Sequence, residues 1–198
     1  RVERAGERRL VGDLRADRSS GGRDGDERRR GLVDRRRLVD RVAGVGAVTI
    51  QLRDYQLDAL ENLFSYWDEG TRKNPIVVAP TGSGKSLLIA EFCRKVCTVS
   101  REVRVLVVTH TKELIEQNES ELRGYWNEAS TGIYSAGLGK RNTQAQIIFA
   151  GIQSIFTKAF LLGKVDIVIV DECHTISRSA QTRYGKFITD MKIANPKV

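Results

Sequence analysis

The chain has 198 residues, of which 40% are hydrophobic and 29% charged, and its net charge is +8. That length holds one domain, or a domain with an extension, and the hydrophobic content suffices for a core. No apolar run approaches membrane-spanning length, and three cysteines, Cys93, Cys97 and Cys173, are odd in number and lack paired metal spacing, which excludes a disulfide framework or a zinc cluster. Cys93 and Cys97 lie four residues apart on one helix face and read as reduced core thiols, so a cytoplasmic setting is expected.

The charge is unevenly spread. Residues 1–46 carry 14 Arg against 9 acidic residues, and the remaining 152 carry 19 basic and 16 acidic side chains. Nucleic-acid binding therefore has to be argued from local sites, not from the global charge. The first 46 residues use only eight residue types, with no aromatic, Lys, Pro or amide side chain. Dense charge and little apolar area predict disorder. Three readings compete for this segment: a basic nucleic-acid arm, built on Arg28-Arg29-Arg30 and Arg35-Arg36-Arg37; a transit peptide, opposed by the nine acids; and a start placed too early, with Val48 as the candidate initiator. The third is preferred, because the residue alphabet changes abruptly near Val48-Thr49-Ile50 and the only Met is Met191. Residues 47–198 are then the working domain.

From Ile50 the pattern becomes that of a folded chain. Leu57, Leu60, Phe64 and Trp67 recur at helical spacing and predict one apolar helix face. Residues 70–75 read as a polar linker, 75–80 as a strand around Ile76-Val77-Val78, and 85–99 as a helix. Residues 103–109 form a continuous apolar run expected of a strand covered on both faces. Residues 111–126 read as a helix with Leu114, Ile115 and Leu122 inward. A short strand at 132–135, a Gly/Lys/Arg loop at 136–143, a strand at 147–150, a helix at 152–160, a buried strand at 165–170 and a helix at 181–193 complete the chain. Strands alternating with helices predict an α/β fold: a mostly parallel sheet with helices on both faces.

Two stretches carry chemistry. The first is Ala79-Pro80-Thr81-Gly82-Ser83-Gly84-Lys85-Ser86, set between an apolar run and a helix. Glycines let successive backbone N–H groups turn toward a phosphate, and the helix N-terminus adds its partial positive charge. In this P-loop pattern Lys85 reaches the β- and γ-phosphates and the Ser86 hydroxyl sits on Mg²⁺; Ala79 stands where the pattern has its first Gly. The second is Asp171-Glu172-Cys173-His174, which ends the 165–170 run. In an open α/β sheet ligands sit beyond the C-terminal strand ends, the end from which the P-loop also departs. Asp171 is positioned to hold Mg²⁺ through water and Glu172 to polarise an attacking water. An acidic pair alone would read as helix capping; beside a P-loop it reads as catalytic. Cys173 reads as a packing residue, and His174 as a relay or neighbour of the Mg²⁺ site.

Taken together, these residues resemble the N-terminal RecA-like lobe of a superfamily 2 helicase of the DEAD/DEAH type, in its D-E-C-H form. Arg53-Asp54-Tyr55-Gln56 resembles the adenine-reading Q motif, with Gln56 as the adenine contact, and residues 79–86 resemble motif I. Residues 105–114 resemble motif Ia, Gly151-Ile152-Gln153-Ser154 a later DNA-contacting motif, and Asp171 to His174 motif II. Within the superfamily, Lys112 to Asn118, the D-E-C-H box and Tyr184-Gly185-Lys186-Phe187 are similar to the bacterial and phage RadD-like group. The resemblance covers about residues 49–198.

The resemblance implies an ATP- and Mg²⁺-dependent nucleic-acid motor. Thr109, His110 and Thr111, with Gln153 and Ser154, are then backbone contacts to DNA, or to RNA as the alternative polynucleotide, without sequence preference. Lys140 and Arg141 are equally open to phosphate contact and to simple solvation. The resemblance also implies a further motif and a second RecA-like lobe beyond residue 198. It places the strand of that further motif between those of residues 75–80 and 165–170, so residues 1–198 alone are expected to be aggregation-prone or molten. Extension by about 15 residues, one strand and its turn, is expected to restore a cooperative fold. Two alternatives stand beside the helicase or translocase: the motor subunit of a restriction enzyme, and a non-catalytic nucleic-acid-binding remnant.

Overall fold

A computed structural model of the protein describes residues 51–68, 74–177, 179, 181–196 and 198. The readings of residues 1–46, of Val48 as initiator, and of most of the linker before Pro75 lie outside the described residues. The helices are α1 (Asp54–Asp68), α2 (Lys85–Val99), α3 (Lys112–Tyr125), the short α4 (Ile152–Ile155) and α5 (Arg183–Ala194). The strands are β1 (Val105–Thr109), β2 (Thr131–Ser135), β3 (Lys140–Arg141), β4 (Ile147–Gly151) and β5 (Ile167–Val170).

These strands form one sheet in the order β3-β2-β4-β1-β5. β2, β4, β1 and β5 run parallel, and β3 returns antiparallel to β2 as a two-residue hairpin arm inside the expected loop. The two central strands are buried along their whole length, and their alternating side chains supply two cores. Val105, Val107, Ile147 and Phe149 face α1, α2 and α3 through Leu60, Phe92, Ile115 and Leu122. Leu106, Val108, Ile148 and Ala150 face the other side, where Ile155, Leu162, Phe187 and Met191 pack. Helices therefore cover both faces, as the continuous apolar strands require.

Four local expectations are corrected. Residues 74–80 enter no strand among the described residues, and Ile76 and Val78 are 72% and 84% exposed. A β-branched run forms a strand only where a neighbouring backbone pairs with it, and β5 pairs only with β1 among the described residues. For the same reason β5 is half-buried and not the fully covered strand its composition suggests. The expected helix 152–160 stops after one turn at Ile155. Lys158 leaves helical geometry, and Ala159 and Leu162 turn inward on a 3₁₀ turn while Phe160 and Leu161 remain exposed. On α1, Leu60 is the buried apolar residue, whereas Leu57 is 41% exposed. Trp67 sits at the rim, edge-on to Phe64 and Phe92.

Behind α2 lies a buried charge. Glu91 accepts from Arg94 Nε and Nη2 at 2.6 and 2.9 Å and from the Tyr125 hydroxyl at 2.9 Å, linking α2 to the end of α3. Burial, followed by the Glu91 charge, pushes the Tyr125 phenol up to about 12, so it remains a donor at any ordinary pH. A hydrogen bond to a charged group contributes about 1.5–3 kcal/mol. Tyr125→Phe should therefore lower the unfolding free energy by about that amount in urea titrations; a change under about 0.5 kcal/mol, the scale of neutral surface substitutions, would show that the bond does not stabilise the α2–α3 contact.

Candidate functional site

Because β1, β4 and β5 are parallel and in register, Thr109, Gly151 and Val170 end at one edge of the sheet. The backbone of Asp171 extends that edge, its N–H donating to the Val108 carbonyl at 3.0 Å. The chain between 80 and 84 arrives at the same edge as a glycine turn, with Gly82 and Gly84 at φ +77° and +74°. Gly84 is also the N-cap of α2, and no side chain caps that helix, so its first N–H groups are not taken by a capping side chain. A Cβ at Gly84 would stand 2.6 Å from Gln56 Nε2 and displace that amide, and the positive φ disfavours a larger residue in any case.

Gln56 explains how the turn is held. It is almost fully buried, its Oε1 accepts from the Arg53 N–H at 2.9 Å, and its Nε2 donates to the carbonyls of Ser83 and Gly84 at 2.9 and 3.3 Å. The Tyr55 hydroxyl donates to the Ser83 carbonyl at 2.8 Å. The amide expected to read adenine thus braces the glycine turn from α1. Tyr55, Gln56, Ala59, Pro80, Gly84 and Leu88 line one cleft beside it.

Lys85 and Glu172 meet across the edge, the ammonium donating to Glu172 Oε1. The hydrogen bond to Glu172 raises the Lys85 pKa, and the same bond lowers that of Glu172. His174 Nδ1 lies 3.1 Å from the other Glu172 oxygen, on a largely exposed ring. Glu172 is the one non-glycine residue among those described with positive φ, at +58°. Such strain costs about 1–3 kcal/mol and concentrates at functional sites. Asp171 is buried, and its Oδ2 accepts from Asn118 Nδ2 at 3.0 Å.

The expected site residues are therefore distributed unevenly. Lys85, Glu172 and His174 are brought into contact, with Asp171 next to them; Pro80, Thr81 and Gly82 lie exposed on the turn, and Ser83 and Ser86 are half-buried. Arg53 contributes its backbone N–H while its side chain is exposed. Of the second set, Thr109 is buried and its hydroxyl donates to the Thr111 carbonyl; the Thr111 hydroxyl accepts from Leu114 N–H and caps α3. His110 and Gln153 are exposed, and the Ser154 hydroxyl accepts from Ala136 N–H at 2.8 Å. Two residues escaped the sequence reading. Tyr55 lies within the Q-motif stretch, where the sequence gives it no role, and Asn118 offers one signal, an amide three residues after Ile115 and four before Leu122 on a buried stripe.

The fold is that of the N-terminal RecA-like lobe of superfamily 2 helicases. Residues 49–195 match the family described as the type III restriction enzyme, res subunit, and the chain belongs to that family. The UvsW helicase from bacteriophage T4 shares the fold at 18% identity with a TM-score of 0.60, over 80% of this chain and 56% of that one. A second structure of T4 UvsW gives 18% identity and a TM-score of 0.58, over 82% of this chain and 33% of that one. The chain thus spans about half or less of the helicases whose fold it shares. No curated protein sequence matches it.

Lys85→Ala removes the ammonium that donates to Glu172 across the edge without touching either core. Calorimetric titration with Mg-ATP should show binding by the parent and none by the variant, while thermal melts of the two coincide; unchanged affinity would remove Lys85 from the site.

Proposed function

We propose that the chain is the ATP-binding lobe of an ATP-dependent helicase or translocase that acts on DNA. The observation that carries this reading is the meeting of Lys85, at the head of an uncapped helix, with Glu172, 87 residues later at a strand end. A cation, free helix N–H groups and a glycine turn are what a polyphosphate needs. Two carboxylates beside them are what hydrolysis of that polyphosphate needs.

The donor set fits ATP with Mg²⁺. Among the described residues no cluster of three or more His, Cys, Asp or Glu forms a metal cage. That suits Mg²⁺, which takes one or two protein ligands and fills its shell with phosphate and water. Ser86 and Asp171 are the residues that would hold it, and when bound it neutralises charge on the phosphates. The remaining work falls to the chain. The N–H groups at the head of α2 are offered to the phosphates, while the Ser83 N–H stays on the Pro80 carbonyl at 3.2 Å and closes the turn. Lys85 leaves Glu172 for the β- and γ-phosphates, and Glu172 then accepts a proton from the attacking water. Gln56 and Tyr55 keep the turn in register, and the cleft they line is where the adenine is proposed to sit.

His110, Gln153 and the backbone at Thr109–Thr111 and Ser154 lie at the ends of β1 and β4, on the same edge. They support sequence-independent contact with a DNA backbone, with RNA the other polynucleotide of matching chemistry. A second RecA-like lobe completes the motor in this reading, and buried thiols at Cys93 and Cys97 suit a cytoplasmic setting. Among the described residues no helix is long and apolar enough to cross a membrane. One further reading is favoured by a specific observation: the family description names a restriction-enzyme subunit, so the same lobe serves equally as the motor of a restriction enzyme.

Glu172→Gln keeps the shape of the side chain and loses the base. In a chain that includes a second lobe, ATP affinity should persist while DNA-stimulated turnover falls about 100-fold or more, the ordinary scale of general-base catalysis. Turnover within about twofold of the parent, against that scale, would assign water activation elsewhere. A parent that binds DNA but never turns over ATP would make the lobe a binding remnant.

A further inference from the structure

α3 carries the apolar stripe Ile115, Leu122 and Tyr125, and Asn118 stands in the middle of it, 1% exposed. Burying an amide is costly unless it is hydrogen-bonded, and an aliphatic side chain would fill the same position at no such cost. Asn118 makes one bond through its side chain: Nδ2 donates to Asp171 Oδ2 at 3.0 Å, across 53 residues of sequence. Its Oδ1 is buried without a partner. The amide oxygen is thus left unsatisfied, while the nitrogen donates to the buried Asp171 carboxylate at the strand edge. Packing alone accounts for neither.

We propose that Asn118 is a positioning residue that holds the Asp171 carboxylate in the orientation required for Mg²⁺; this rests on the ATP-site reading above. The chemistry is specific to a neutral donor. An amide N–H satisfies one carboxylate oxygen and leaves Oδ1 for a metal-bound water, without adding positive charge that would repel the cation. A Lys or Arg at this position would neutralise Asp171 and compete with Mg²⁺. A Leu would leave a buried carboxylate oxygen bare, free to rotate or to pick up a proton. The backbone of Asp171 is already tied to Val108, so the side-chain torsion is the remaining freedom, and Asn118 removes it. The Asn118 link also joins the metal carboxylate to α3, the helix that Thr111 caps directly after β1.

The test measures metal affinity apart from turnover. Nucleotide affinity is determined with a fluorescent ATP analogue in chelator, and the affinity of the ATP complex for Mn²⁺ by electron paramagnetic resonance. Asn118→Leu should leave the metal-free nucleotide affinity within about twofold and weaken Mn²⁺ binding about tenfold, the scale found for partners of metal-binding side chains. Unchanged Mn²⁺ affinity in Asn118→Leu overturns the role of Asn118 while leaving the ATP-site reading intact. A parent that binds ATP with no metal dependence overturns both. Because the Leu variant could lose its fold, the Asn118 side-chain amide resonances of the parent supply a second readout. They should shift when Mg²⁺ is added to the ATP complex, and an unmoved pair of signals would also overturn the proposal.

Discussion

The contact between Lys85 and Glu172 is the constraint on which the rest of the molecule turns. Neither partner is deeply buried: the side chains are 34% and 25% exposed. An ion pair so open to solvent contributes little to stability, so its meaning is positional. It brings a glycine turn and a strand end from distant parts of the chain to one place, and it leaves a lysine that must exchange one anion for another. The carboxylate of Glu172 occupies the role that a phosphate oxygen would take. In the proposed reading a polyphosphate arriving at the turn would compete for the same ammonium, so that nucleotide binding and release of the Lys85 contact to Glu172 would be one event.

Everything that surrounds this pair serves to keep its two halves in register. The parallel sheet supplies a common edge, because only parallel strands end their C-termini together. Three buried polar side chains then fasten the loops and helices to that edge. Gln56 ties α1 to the glycine turn, Glu91 ties α2 to α3, and Asn118 ties α3 to Asp171. Each sits where an apolar residue would pack more cheaply, and each connects elements far apart in sequence. Buried polar networks of this kind specify one arrangement among several that would bury equal apolar area.

Much of this was legible in the sequence where the signal is local. The P-loop helix is found over Lys85–Val99 as expected, because a glycine turn sets its start and its apolar spacing sets its face. The helix over Lys112–Tyr125 and the strand at Ile147–Gly151 fall within a residue of expectation. The strand errors share one cause, since strand formation depends on neighbours the sequence does not name. Ile76-Val77-Val78 has the composition of a buried strand and lies outside the sheet, while Lys140 and Arg141 have the composition of a loop and pair with β2. The site shows the same division. That Lys85 and Glu172 come to one end of the sheet was legible, because a glycine turn and a strand end mark their positions in the sequence. Asn118 was not, because its partner is 53 residues away and only the fold shows that the two meet.

The central claim is that the strand-edge turn is a polyphosphate site whose lysine is held in reserve by Glu172. A crystal structure of the protein with Mg²⁺ and a non-hydrolysable ATP analogue tests it most directly. The account predicts phosphates against the glycine turn and the backbone N–H groups at the head of α2, with Lys85 turned from Glu172 onto the β- and γ-phosphates. Nucleotide bound at another surface, or a Lys85–Glu172 pair left closed with the phosphates in place, would contradict it.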